Sequence, residues 1–291
     1  MSDRKTRGVA AFLIFLISLI VYIRTMAATV SFWDAGEFIA VSHILGIPHS
    51  PGTPMYVLVG RVFAMLPVGL SVAERVNLLS AFTAALGVMM VYLIISEVVR
   101  MMYGEAKTAA ARVAAHAGGL VGSFFLMFSS TYWTDAIEAE VYALSAFVMG
   151  LCTYLALRWL RAHPDGGEGE AAAAAPGGAK DAAADPGRSR GLILLIIYLL
   201  SLGIGFHLGT ILVFGGIFLV VFMVKEKSFS NAEFLVITFG MAVLVADMTL
   251  HRNSGLTIGG LVVFGVALVW ITMSKGRLAL SATLLFLLGI S

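Results

Sequence analysis

The chain has 291 residues, of which 59% are hydrophobic and only 12% charged, with a formal net charge of +2. Globular domains hold roughly 45–50% apolar and about 25% charged residues, so a soluble enzyme and a disordered chain are excluded, and scattered, nearly balanced charge excludes a nucleic-acid binder. The single cysteine, Cys152, rules out an internal disulfide framework and reads as a core residue.

What remains is an all-α polytopic membrane protein. Runs of about 20 apolar residues, the length that crosses a bilayer, fall at 8–28, 77–99, 113–131, 141–160, 191–206, 208–224, 232–250 and 256–273, with a partial run at 278–291. The first follows Arg4, Lys5 and Arg7. It is longer than the core of a secretory signal, about 7–15 residues, and is read as an uncleaved span. The pair at 191–224 has Arg188 and Arg190 before it and Lys225 and Lys227 after it. Basic loops stay cytoplasmic, so this pair predicts a hairpin turning near Gly205–Gly209. A cytoplasmic N-terminus puts fifteen of the nineteen Lys and Arg residues inside and only Arg24, Arg61, Arg75 and Arg252 outside. Trp33 and Trp133 then lie at outer boundaries, Trp159 and Trp270 near inner ones, as interfacial aromatics do. Residues 162–190, rich in Ala, Gly, Pro and Asp, predict a flexible cytoplasmic linker between an N-terminal membrane part, 1–161, and further spans in 191–291. The last run stops at Ser291 part-way across, which predicts a chain cut short at its C-terminus. The expected location is the inner (plasma) membrane of a bacterium.

The outer loops carry the chemistry. The first, 29–76, is too apolar to be solvated and too interrupted to span. Ala35–Leu45 and Pro54–Leu66 predict two short amphipathic helices lying at the interface, with Pro48, Pro51, Gly52 and Pro54 forcing an extended or turning chain between them. This loop holds Asp34, Glu37, His43, His49 and Arg61, with Glu74 and Arg75 at its end; the second holds Asp135, Glu138 and Glu140; the hairpin turn holds His207. Ionisable groups at membrane depth are costly and usually functional. Each also has a plainer reading. Asp34 with Glu37, and Asp135 with Glu138, match an N-cap with an acid at N3, so both predict capping boxes. A cap also orients its carboxylate, so Asp34 beside Trp33 is still read as catalytic. His43 and His49 read as solvated loop residues, His207 as a helix break or a site residue, and Arg61 and Arg75 as cations snorkelling to headgroups or holding a phosphate. Asp247 and His251, four apart, pair with each other.

No metal-ligand spacing, phosphate loop or nucleophile elbow occurs. An enzyme built from carboxylate, Arg and His at a membrane surface suits a lipid-phosphate donor, whose tail stays in the bilayer. A carboxylate takes the proton of an acceptor hydroxyl while a cation stabilises the departing phosphate.

The stretches F-W-D-A-G-E-F-I-A, L-G-I-P-H-S-P-G-T-P-M-Y, R-V-N-L-L-S-A, A-E-V-Y-A-L and G-I-G-F-H-L-G-T, spread over residues 30–215, resemble the family long called domain of unknown function 2723. That family includes the transmembrane protein 260 type of protein O-mannosyltransferase, within the GT-C superfamily. The resemblance implies a GT-C-like helix bundle. It implies inverting transfer of a hexose from a polyprenyl-phosphate-linked sugar to a hydroxyl acceptor on protein, glycan or lipid, on the extracytoplasmic side. It makes Asp34 the general base, with Glu37 orienting it or the acceptor. His49, Glu138, Glu140 and Tyr142 line the cleft, and Arg61, Arg75 and His207 are assigned to the donor phosphate. It implies no metal and no cofactor. Two other classes remain open: a transporter with a broken-helix site near His207, for which no internal repeat is seen, and a non-catalytic membrane scaffold.

Overall fold

An apolar run inside a bilayer has no water to bond its peptide groups, so it satisfies them along its own axis as helix. The computed structural model describes residues 3–50, 52–104, 108–162, 186–207, 209–210 and 213, and among them every regular element is helical. In chain order these are α1 (Asp3–Thr25), α2 (Ala35–Ile44), α3 (Pro54–Ala64), α4 (Val72–Tyr103), α5 (Ala109–Met127), α6 (Ser130–Ile137), α7 (Val141–Ala162) and α8 (Pro186–Ile204). Among the described residues three helices are long and apolar enough to cross a membrane, Arg4–Thr25, Val72–Tyr103 and Val141–Arg161. The predicted runs at 208–224, 232–250, 256–273 and 278–291, most of the linker, and the Asp247–His251 pair lie outside the described residues.

Two compact units divide the chain, Met1–Leu157 with Gly205–His207, and Arg158–Ile204 with Leu208–Ser291. The first is built on α1 and α4. Ala11, Ile14 and Tyr22 of α1 pack with Ala81, Ala84, Ala85, Val88 and Tyr92 of α4, and Met127 and Ala136 join them. The alanines let the helix backbones approach closely, as small residues do between membrane helices. The Tyr22 hydroxyl donates to the Met127 carbonyl at 3.0 Å. Ser71 starts α4 with a complete capping box: its hydroxyl accepts from the Glu74 N–H, and the Glu74 carboxylate accepts from the Ser71 N–H at 2.8 Å. In the second unit, Ile193, Ile196, Ile197 and Leu200 of α8 are buried on one helix face.

The predicted span 113–131 is not one straight helix. α5 and α6 meet at a 65° bend. The chain turns at Phe128, and Ser129 is extended, with its hydroxyl donating to the Leu126 carbonyl at 2.9 Å. Tyr132 supplies the reason for the bend. Its ring end reaches the space that a side chain at Gly87 would fill, and its hydroxyl donates to the Ala84 carbonyl at 2.9 Å. This draws α6 onto α4.

The two short helices of the first loop form where the sequence predicts them, but the apolar residues of α2 run round the helix rather than along one face. Pro54 occupies the first turn of α3, where its missing N–H costs nothing. α2 ends at Leu45 in a left-handed conformation, φ 56°, with Pro48 soon after. The pair packs through Phe38 against Tyr56, ring centroids 5.1 Å apart. Gly60 lies where a Cβ would come within 2.9 Å of the Ser42 Cβ, so only glycine permits this crossing.

Candidate active site

Asp34 is at the N-cap position of α2, yet its side chain makes no capping hydrogen bond. The capping box predicted for Asp34 and Glu37 does not form. Glu37 turns instead to the Pro-rich segment and holds His49 with both oxygens. The His49 N–H donates to Oε1 at 2.7 Å, and the ring Nδ1 lies 2.7 Å from Oε2. A carboxylate that meets a ring donor and a backbone donor in one residue has a better match than its own helix end offers. This folds residues 48–50 back over the start of α2, and brings His49 Nε2 to 4.0 Å from Asp34 Oδ2. The Asp34 carboxylate therefore remains open, 55% exposed. The preceding Trp33 has φ 56° and is 93% exposed. A bulky residue rarely adopts that conformation, and such strain gathers at functional sites.

The electrostatics follow from these contacts. The bonds from the His49 ring and backbone hold the Glu37 carboxyl below its usual range. The Glu37 contact, aided by the charges of Glu37, Asp34 and Glu140 and opposed by partial desolvation, raises His49 above its ordinary 6.5.

The second loop closes on the same place. Asp135 lies inside α6 and Glu138 at its C-terminal end, so the capping box predicted for them does not form either. An N-cap needs a helix beginning there, whereas the helix ends there. Glu138 and Glu140 are both buried. Burial pushes the Glu140 carboxyl up to about 7, with the charges of Asp34, Asp135 and Glu138 adding to it. Tyr142, in the first turn of α7, is half exposed and sets its ring 5.0 Å from that of His207. Burial lowers the His207 pKa. The Gly205 carbonyl accepts from the Met55 N–H at 3.1 Å, so the chain at Gly205 is tied to the start of α3.

The structure thus gathers Asp34, Glu37, His49, Glu140, Tyr142 and His207 from three separated stretches. The two arginines are engaged elsewhere: Arg61 Nη1 donates to the His43 carbonyl near the end of α2, and Arg75 Nη1 to the Leu66 carbonyl at 3.0 Å. Asp34, Glu37 and His49 each offer one ligand atom, all within 4.8 Å of one another, so these are the residues that could hold a divalent cation. Sequence reasoning missed three residues. Tyr56 is fully buried under the loop, and burial together with the Glu140 charge raises its pKa. Asn77 and Ser80 bond the two loops from α4. Their readable signal was a polar pair three residues apart in an apolar span, on one helix face.

A family model described as the protein O-mannosyl-transferase TMEM260 N-terminal domain matches residues 34–230. Among curated proteins, the chain is 27% identical over 160 residues to one named protein O-mannosyl-transferase tmem260 from Dictyostelium discoideum, covering 54% of this chain and 18% of that protein. It is 29% identical over 140 residues to one named protein O-mannosyl-transferase TMEM260 from Mus musculus, covering 48% of this chain and again 18% of that protein. The matched stretches therefore cover less than a fifth of the length of these relatives. No solved structure matches.

Proposed function

We propose that this chain, which belongs to the family of the protein O-mannosyl-transferase TMEM260 N-terminal domain, carries the reacting end of a membrane mannosyltransferase. The donor is a polyprenyl-phosphate mannose, the acceptor a hydroxyl group, and the site faces the extracytoplasmic side with the N-terminus in the cytoplasm. Asp34 removes the acceptor proton as the acceptor oxygen forms its bond to the anomeric carbon from the face opposite the phosphate. The bond from that carbon to the phosphate oxygen breaks, and its electron pair leaves with the phosphate. Inversion follows from the opposite-face attack. The His49 ring, held by Glu37, offsets the negative charge of the approaching donor when protonated. Glu140, Tyr142 and His207 line the cleft in which donor and acceptor meet. The reaction proceeds without a metal.

The observation that supports this reading best is the Asp34 carboxylate, released from capping duty, half exposed and 4.0 Å from His49 Nε2. The test uses the full-length protein in membranes with radiolabelled polyprenyl-phosphate mannose, and traces label into protein, glycan and lipid fractions. Asp34→Asn should lower transfer about a hundredfold or more with unchanged membrane insertion. Full transfer by that variant removes Asp34 from the base role. Transfer should survive a chelator; its loss would make Asp34, Glu37 and His49 a metal site instead.

A further inference from the structure

A membrane span that carries polar side chains in its buried face must gain something for them, because unpaired polar groups at that depth are costly. α4 carries several, among them Asn77 and Ser80, both fully buried. Asn77 Nδ2 donates to the Ala27 carbonyl at 2.8 Å and to the Thr29 carbonyl at 3.3 Å, at the very start of the loop that bears Asp34. Ser80 Oγ donates to the Glu140 carbonyl at 3.3 Å and accepts from the Glu140 N–H at 3.2 Å, so it holds both backbone groups of one residue. A direct bond from the Ala27 N–H to the Ile137 carbonyl, 2.9 Å, joins the two loops just beside these contacts.

We infer that Asn77 and Ser80 are positioning residues that fix the register between the Asp34 loop and the Glu140 loop. Neither side chain is open to a substrate, so each acts through the residue it holds. Asn77 sets where the first loop leaves α1, and Ser80 sets the backbone from which the Glu140 carboxyl projects. This inference rests on the reading of Asp34 as the base and of Glu140 as a cleft residue. Displacing a reacting group by about 1 Å can cost up to about a hundredfold in rate. Loss of either clamp should therefore fall on turnover more than on donor binding.

The test measures transfer from radiolabelled polyprenyl-phosphate mannose to endogenous acceptors by the full-length protein, normalised to folded enzyme. Ser80→Ala and Asn77→Leu should lower kcat about tenfold or more and leave the donor KM within about twofold. Ser80→Cys, of similar size but a weaker hydrogen-bonding partner, should fall between wild type and Ser80→Ala. In a Glu140→Gln background, Ser80→Ala should cost much less than it does alone, because the residue it positions is already altered. The inference is overturned by unchanged kcat in Ser80→Ala and Asn77→Leu, by an undiminished Ser80→Ala loss in the Glu140→Gln background, or by failure of all three clamp variants to accumulate folded. Asp34→Asn, assayed alongside, separates the cases. An active Asp34→Asn enzyme refutes the base assignment, whereas normal clamp variants beside an inactive Asp34→Asn enzyme refute the clamp alone.

Discussion

The two ends of α4 use the same side-chain chemistry for opposite purposes. Towards its C-terminus, Glu97 is fully buried and meets Arg7 of α1 at 2.8 Å, with Arg100 at 4.0 Å. Nearby, Tyr92 stacks on His116 and bonds its Nδ1 at 2.7 Å. At the other end, Glu37 meets His49 at the same 2.7 Å, but the pair is half exposed and a second carboxylate, Asp34, stands open beside it. Coulomb attraction is several-fold stronger in a low-dielectric interior than in water, but so is the cost of leaving a charge unpaired. The buried cluster is thus a fastener between α1 and α4. The exposed cluster contributes little to stability and leaves charge available for a ligand.

That contrast can be broken or sharpened. Asp34→Asn, whose loss of transfer is the largest effect expected, should leave thermal stability unchanged, because its side chain makes no capping bond. Arg7→Met should do the reverse. It removes the shortest ion pair of the buried Glu97 carboxylate, so stability should fall by about 3 kcal/mol in denaturant unfolding of the detergent-solubilised protein. Turnover per folded molecule should hold, and adding Glu97→Leu should recover most of the loss. Gly60→Ala comes next. The new Cβ meets Ser42, and forcing α2 from α3 should cost about 1–3 kcal/mol and lower kcat together, since α2 carries Asp34 at its start. A Gly60→Ala protein with wild-type kcat and stability would show that the crossing is looser than its geometry.

The smallest effect belongs to Glu37→Gln and is read by pH. The Glu37 pKa lies below its ordinary 4.5, so the contact's contribution is present above 4.5 and is lost as pH falls through the depressed value. The His49 pKa lies above its ordinary 6.5, so the contribution is present below 6.5 and is lost as pH rises through the raised value. The contact is therefore strongest between those two limits. NMR titration of the His49 ring should give a pKa above 6.5 in the wild type, moving back towards 6.5 in Glu37→Gln. An unmoved midpoint would mean that the two side chains do not meet in solution.

Much of the architecture was legible in the residues. The three spans among the described residues are written as runs of apolar residues, and the short helices of the first loop as runs bounded by Pro48, Pro51 and Pro54. The family was legible too, because its motifs recur over many separated stretches. The bend at Phe128 was not, since it depends on Tyr132 finding the gap at Gly87, a residue far away in the chain. Nor were the capping boxes. The pattern Asp34–Glu37 is the same in form as Ser71–Glu74, yet only the second caps its helix. Glu74 has its local partner nearest, whereas Glu37 is offered two donors by His49.

By itself the sequence determined that this chain is helical and membrane-spanning, and that its ionisable groups gather in two loops and a turn. Hydropathy and chain reach act over a few residues, so local order suffices to fix them. Tertiary structure alone decided which carboxylate is tied and which is open, and which buried residues of α4 hold the loops in register. Those outcomes are competitions between partners distant in the chain, and only the folded distances settle who wins.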